Sequence, residues 1–175
     1  KLELQREDFD VIACEHSRVV TIGAHTINTR IDRVDRLANG EVLIFDYKTG
    51  DVPRRSWENP RPDQPQLPLY AVTTTDESVA GIAYARIKKG DCKIVDEPNR
   101  IAGDSNAAAD MRTQWRAQME AWRAALEELA HEIESGLAIA NPKHGTTTCL
   151  YCDLQCFCRI HEVRPDQVLE LDNED

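Results

Sequence analysis

Two short β-type runs open the chain, Phe9 to Ala13 and Arg18 to Gly23. A longer strand-like run, Thr26 to Leu37, is broken by Asn39-Gly40 and resumes over Glu41 to Tyr47, which predicts a hairpin. Asp51 to Asp63 is rich in Pro and Arg and reads as a loop. Gln64 to Thr74 predicts a short helix with prolines in its first turns, where they are tolerated. Val79 to Lys88 and Cys92 to Val95 predict two more strands around a turn at Gly90-Asp91. After a loop at Pro98 to Ser105, Met111, Trp115, Met119, Trp122, Leu126, Leu129 and Ile133 recur at helical spacing. They predict one long helix, Ala107 to Glu134. The expected fold class is α/β, a mixed central β-sheet flanked by helices, with a C-terminal cysteine-rich loop.

The hairpin carries the chemistry, and its register decides which side chains meet. A two-residue turn at Asn39-Gly40 would put Asp32 and Asp46 on opposite faces. A three-residue loop, Ala38-Asn39-Gly40, ends on a left-handed glycine. It pairs Leu37 with Glu41 and sets Asp32 opposite Asp46, with Lys48 on their face and Asp35 turned away. The second register is the one expected. Both faces of the hairpin also carry apolar residues, and a strand buried on both sides has little reason to keep two acids and a lysine. Two carboxylates suit Mg²⁺ or Mn²⁺, which take oxygen ligands, and the backbone carbonyl of Tyr47 is a further candidate ligand. Such a cation activates water, and Lys48 beside it can orient the nucleophile or stabilise developing phosphoryl charge. The plain alternative is a surface hairpin laced with cross-strand ion pairs.

Bulk properties limit that picture without erasing it. The chain has 175 residues, 41% hydrophobic and 30% charged, enough for one domain with a real core. The expected division is a single domain over 1–165, its cysteine loop at 144–160, and an acidic, mobile tail over 166–175. Opening at Lys1 without a methionine is expected of a piece of something longer. No run approaches a membrane span, and no signal segment opens the chain. The net charge of -10 disfavours generic nucleic-acid binding. Much of that acid lies in Glu120 to Glu134 and beyond Glu162, whereas Arg30, Arg33, Arg36, Lys48, Arg54, Arg55 and Arg61 balance the acids around the hairpin.

Four of the six cysteines, Cys149, Cys152, Cys156 and Cys158, crowd into ten residues. Clustering favours a metal or cluster site in a reducing compartment over a disulfide framework. Spacing leaves open an iron–sulfur cluster, a zinc knuckle using all four or three with His144 or His161, and free buried thiols.

Asp32, then Asp46-Tyr47-Lys48-Thr49-Gly50 after a turn, resembles the PD-(D/E)XK nuclease core of the RecB and AddB type. The run from Arg30 to Arg36 is similar to the AddB-like branch, and Gln66 and Tyr70 match its Gln-x-x-x-Tyr element. The resemblance implies a restriction-endonuclease-like core in which Asp32 and Asp46 bind the metal and Lys48 assists catalysis. It implies DNA contact by Gln66 and Tyr70, and it gives Glu15 an acidic place in the site; solvated strand-end glutamate and ordinary buried tyrosine are the alternatives. It also implies a [4Fe–4S] cluster on Cys149, Cys152 and Cys158, whose usual fourth ligand lies upstream, leaving Cys156 as the local substitute. The family's usual first-motif histidine has no match either, since His16 and His25 fall in strand or turn. The implied function is a DNA exonuclease domain working beside a helicase domain or subunit in repair or recombination, in a bacterial cytoplasm. The alternative is a catalytically incomplete nuclease-like DNA-binding or scaffolding module.

Overall fold

The structure, a computed structural model, describes residues 3–51, 57–58, 60–97, 108–137 and 139–158. The expected tail, Arg159, His161 and the loop at Pro98 to Ser105 lie outside them. The chain divides into two compact units, Lys1–Ser135 and Gly136–Asp175.

The first unit is built on a five-stranded sheet whose spatial order follows the chain: β1 (Phe9–Ile22), β2 (His25–Leu37), β3 (Val42–Lys48), β4 (Val79–Arg86) and β5 (Lys93–Glu97). Strands β1, β2 and β3 run antiparallel, β3 and β4 parallel, and β4 and β5 antiparallel. A parallel neighbour needs a crossover. It contains helix α1 (Gln66–Thr73), which packs on β3 and β4 and against the long helix α2 (Ala108–Glu134).

Alternation along β3 divides the sheet into two faces. Val42 and Ile44 join Leu67, Tyr70, Val72, Ile82, Trp115 and Trp122 in the core beneath the helices. Leu43 and Phe45 face the other way, with Ala83. On that second face Arg6 lies 3.8 Å from the Phe9 ring centroid and ion-pairs Asp35 at 2.7 Å. Arg33 bonds the same carboxylate at 2.6 Å, so the fully buried Asp35 is held between two guanidiniums.

Two glycines fix the turns. Gly40 adopts φ 84, and the Leu37 N–H bonds the Glu41 carbonyl at 2.8 Å, as the three-residue loop requires. Gly23 adopts φ 54 between β1 and β2, where an added Cβ would lie 2.9 Å from the Ala130 Cβ.

The first two short runs are in fact one strand. β1 pairs with β2 along its whole length, through a register shift between Val11 and Ala13. The polar stretch Glu15-His16-Ser17 interrupts its pattern because β1 is an edge strand with most of its side chains in water. Along α2 the buried stripe ends on Ala130 instead of Ile133, which is 68% exposed. Close approach to Gly23 requires a small residue there. Among the described residues no helix is long and apolar enough to cross a membrane.

Among its described residues the second unit holds two single helical turns, α3 (Thr146–Cys149) and α4 (Gln155–Cys158).

Candidate active site

The β2–β3 ladder ends at Arg33 opposite Phe45, one step before Asp32 and Asp46. The strands part there because the Asp32 side chain takes the place of backbone pairing: its Oδ2 accepts the Tyr47 N–H at 2.8 Å. Asp32 is half-buried and Asp46 is 3% exposed, on the helix-covered face. Lys48, two residues on, brings Nζ to 2.7 Å from Asp46 Oδ2. The two acids and the lysine expected from the hairpin therefore meet at the edge of the helical layer.

Lys48 is fixed by a chain of contacts. Its Nζ donates to Gln66 Oε1 at 3.3 Å, Gln66 Nε2 donates to the Tyr70 hydroxyl at 3.2 Å, and that hydroxyl donates to the Arg30 carbonyl at 3.0 Å. Gln66 and Tyr70 share a face of α1 because they are four residues apart. Tyr70 is buried and its hydroxyl is spent inside the protein, whereas Gln66 is exposed. Beneath the lysine, Tyr84 presents its ring 5.7 Å from Nζ and stacks on Trp57 at 4.5 Å between centroids. Arg86, buried and in register with Lys48, ion-pairs Asp51 at 2.6 Å and so ties down the chain that follows the lysine.

Electrostatics make Asp46 the unusual group. Burial pushes its carboxyl up, the adjoining Lys48 ammonium offsets that only in part, and the Asp32 charge adds to the rise. Lys48 approaches Oδ2 closely, yet no donor meets that buried oxygen in line. A buried carboxylate oxygen with lone pairs to spare, beside a second carboxylate, has the donor chemistry of a hard divalent cation. The residues present fit Mg²⁺ or Mn²⁺ on that ground. Among the described residues, no group of three His, Cys, Asp or Glu side chains is gathered as a complete ligand set.

The remaining expected site residues are placed as follows. Tyr47 meets Asp32 through its backbone N–H, and its hydroxyl accepts from Arg33 at 3.3 Å. Glu15 is exposed and bound by Arg30 at 2.5 Å. The thiols are not brought together into the expected iron–sulfur or zinc site. Cys149 and Cys158 end separate one-turn helices, and each Sγ donates to a carbonyl of its own turn, Gly145 and Gln155. Cys152 and Cys156 are exposed. The described cysteines thus do not fit a cluster in this arrangement. Arg30 and the Tyr84–Trp57 platform were not expected as parts of the site. Alternation along β2 places Arg30 on the face of Asp32 and was the available signal for it.

The sequence model of the PD-(D/E)XK nuclease superfamily matches residues 1–159. No curated protein matches. Among solved structures, the crystal structure of SSO0001 is similar at 14% identity with a TM-score of 0.40, over 87% of this chain and 58% of that one. The chain therefore spans under two thirds of the length of that structure.

Proposed function

The chain belongs to the PD-(D/E)XK nuclease superfamily, and we propose from this that it is a metal-dependent deoxyribonuclease, an exonuclease, whose site is Asp32, Asp46 and Lys48. The observation that carries the reading is the meeting of these three side chains where β2 and β3 part, with a buried Asp46 oxygen that no in-line donor satisfies. Asp32 and Asp46 would hold Mg²⁺ or Mn²⁺, with the Tyr47 carbonyl as a further oxygen. When bound, the cation supplies an acidified water and charge neutralisation at the phosphoryl oxygens.

The chain's own residues supply orientation. Asp32 is aimed by the Tyr47 N–H, which fixes one of its oxygens and leaves the other for ligation. Lys48 is held by Gln66 and by Asp46, with its ammonium where it can hydrogen-bond the attacking water and stabilise charge developing on the phosphate. Tyr70 positions Gln66 and reaches no farther, so DNA contact from α1 falls to Gln66. Work beside a helicase domain or subunit, in repair or recombination, rests on the resemblance of the hairpin to the RecB and AddB type.

Digestion of end-labelled linear and circular single-stranded DNA with Mn²⁺, with and without EDTA, tests the reading. Metal-dependent loss of the linear form with the circle intact is the expected result. Cutting of the circle overturns the exonuclease assignment, and digestion in EDTA overturns the metal.

A further inference from the structure

Glu15 is the one non-glycine residue with positive φ among the described residues, at 50° in the middle of β1. Cys14 pairs with Arg33 and His16 with Ile31, so the register places Glu15 opposite Asp32. Asp32 in turn stands level with Asp46, one rung beyond the last ladder pair of Arg33 with Phe45. Three acidic positions thus form a row across β1, β2 and β3. A glutamate held in the left-handed region costs on the order of 1 kcal/mol or more, and such strain persists where the surroundings impose it. The side chain meets Arg30, whose guanidinium sits 2.5 Å from Glu15 Oε2. Both side chains stay exposed, 58% and 65%, so the pair is weakly held. The Arg30 backbone is not weakly held, because its carbonyl takes the Tyr70 hydroxyl at the end of the contacts that begin at Lys48.

Resting on the nuclease reading above, we propose that Arg30 is a binding residue for a substrate phosphodiester and that Glu15 is a conditional metal ligand which Arg30 holds aside until a phosphate takes its place. An exposed guanidinium two residues along β2 from Asp32 is suited to bind a phosphate bidentately. A phosphate that captures Arg30 releases Glu15, whose strand position already faces Asp32. The freed carboxylate then completes a ligand set that two acids leave short. Metal affinity and substrate affinity become coupled, each raising the other.

Two titrations on the full chain test this. The first measures Mn²⁺ affinity by electron paramagnetic resonance for wild type, Arg30→Ala, Glu15→Gln, the double variant and Asp46→Ala. Arg30→Ala is expected to tighten Mn²⁺ about fivefold, the hold of one exposed ion pair, and to do so only where Glu15 is present. Equal tightening in the Glu15→Gln background would mean simple removal of a positive charge and overturns the proposal, as does no tightening. The second measures single-stranded oligonucleotide binding in EDTA. Arg30→Ala should weaken it about fivefold and reduce the salt slope by about 0.7, while Glu15→Gln should strengthen it by freeing Arg30. Unchanged binding in both variants overturns the phosphate role. Mn²⁺ binding indifferent to Asp46→Ala sinks the nuclease site itself. Binding that needs Asp46 but ignores Arg30 sinks only the coupling.

Discussion

At the scale of single residues, Asp46 shows a site built against local stability. Its carboxyl is buried, raised by that burial and only partly relieved by Lys48. A group whose folded pKa exceeds its unfolded value contributes stability that is full below the unfolded value, here 3.8, and lost as pH rises through the folded one. Asp46→Asn keeps the uncharged form at every pH. Its melting temperature should therefore exceed that of wild type by about 2–4 °C near neutral pH, with the gap closing toward about pH 4. Scanning calorimetry without metal checks this, and a variant less stable than wild type at neutral pH would refute it. Adding Mn²⁺ should raise the wild-type melting temperature and leave Asp46→Asn unmoved, because only the former gains a ligand.

At the scale of elements, turns and pairing explain which expectations held. The hairpin register was legible because loop length fixes it: Gly40 in the left-handed region brings Leu37 to Glu41 and, five residues back, Asp32 to the level of Asp46. The parting of the strands at that level was not legible, since it depends on an Asp32 side chain replacing a backbone partner. β1 as one long strand was hidden for another reason. Its middle is polar and exposed, and pairing with β2 rather than its own pattern keeps it extended. Spacing grouped the cysteines, whereas local helical turns separate them and satisfy two thiols on neighbouring carbonyls. Arg30 reads in the sequence only as one of several charges near the hairpin, because its bond to Tyr70 is made by the backbone carbonyl and leaves no trace in the side-chain pattern. The two turn glycines should differ in sensitivity. Gly40→Ala faces open space and should cost about 1 kcal/mol in urea unfolding. Gly23→Ala adds a clash with Ala130 on α2 and should cost about 2–4 kcal/mol. Equal costs would show that α2 yields at that contact.

At the scale of the whole molecule, the proposed action on a polyanion by a chain of net charge -10 would need its charge arranged locally. The first unit supplies this at the end of the β2–β3 hairpin, where Lys48 pairs with Asp46, Arg30 pairs with Glu15, and a cation would offset the two acids. The sheet order sets the geometry. Antiparallel β2 and β3 set Asp32 and Asp46 level with each other, and the parallel step to β4 brings α1 beside Lys48 with Gln66 and Tyr70. The central claim is that Asp32, Asp46 and Lys48 are one catalytic unit, and the cleavage rate of single-stranded DNA in Mn²⁺ for wild type, Asp46→Ala and Lys48→Ala tests it most directly. Wild type should cleave, and each variant should lose at least about 100-fold. Variants as fast as wild type, or a wild type as inert as its variants, would contradict the account.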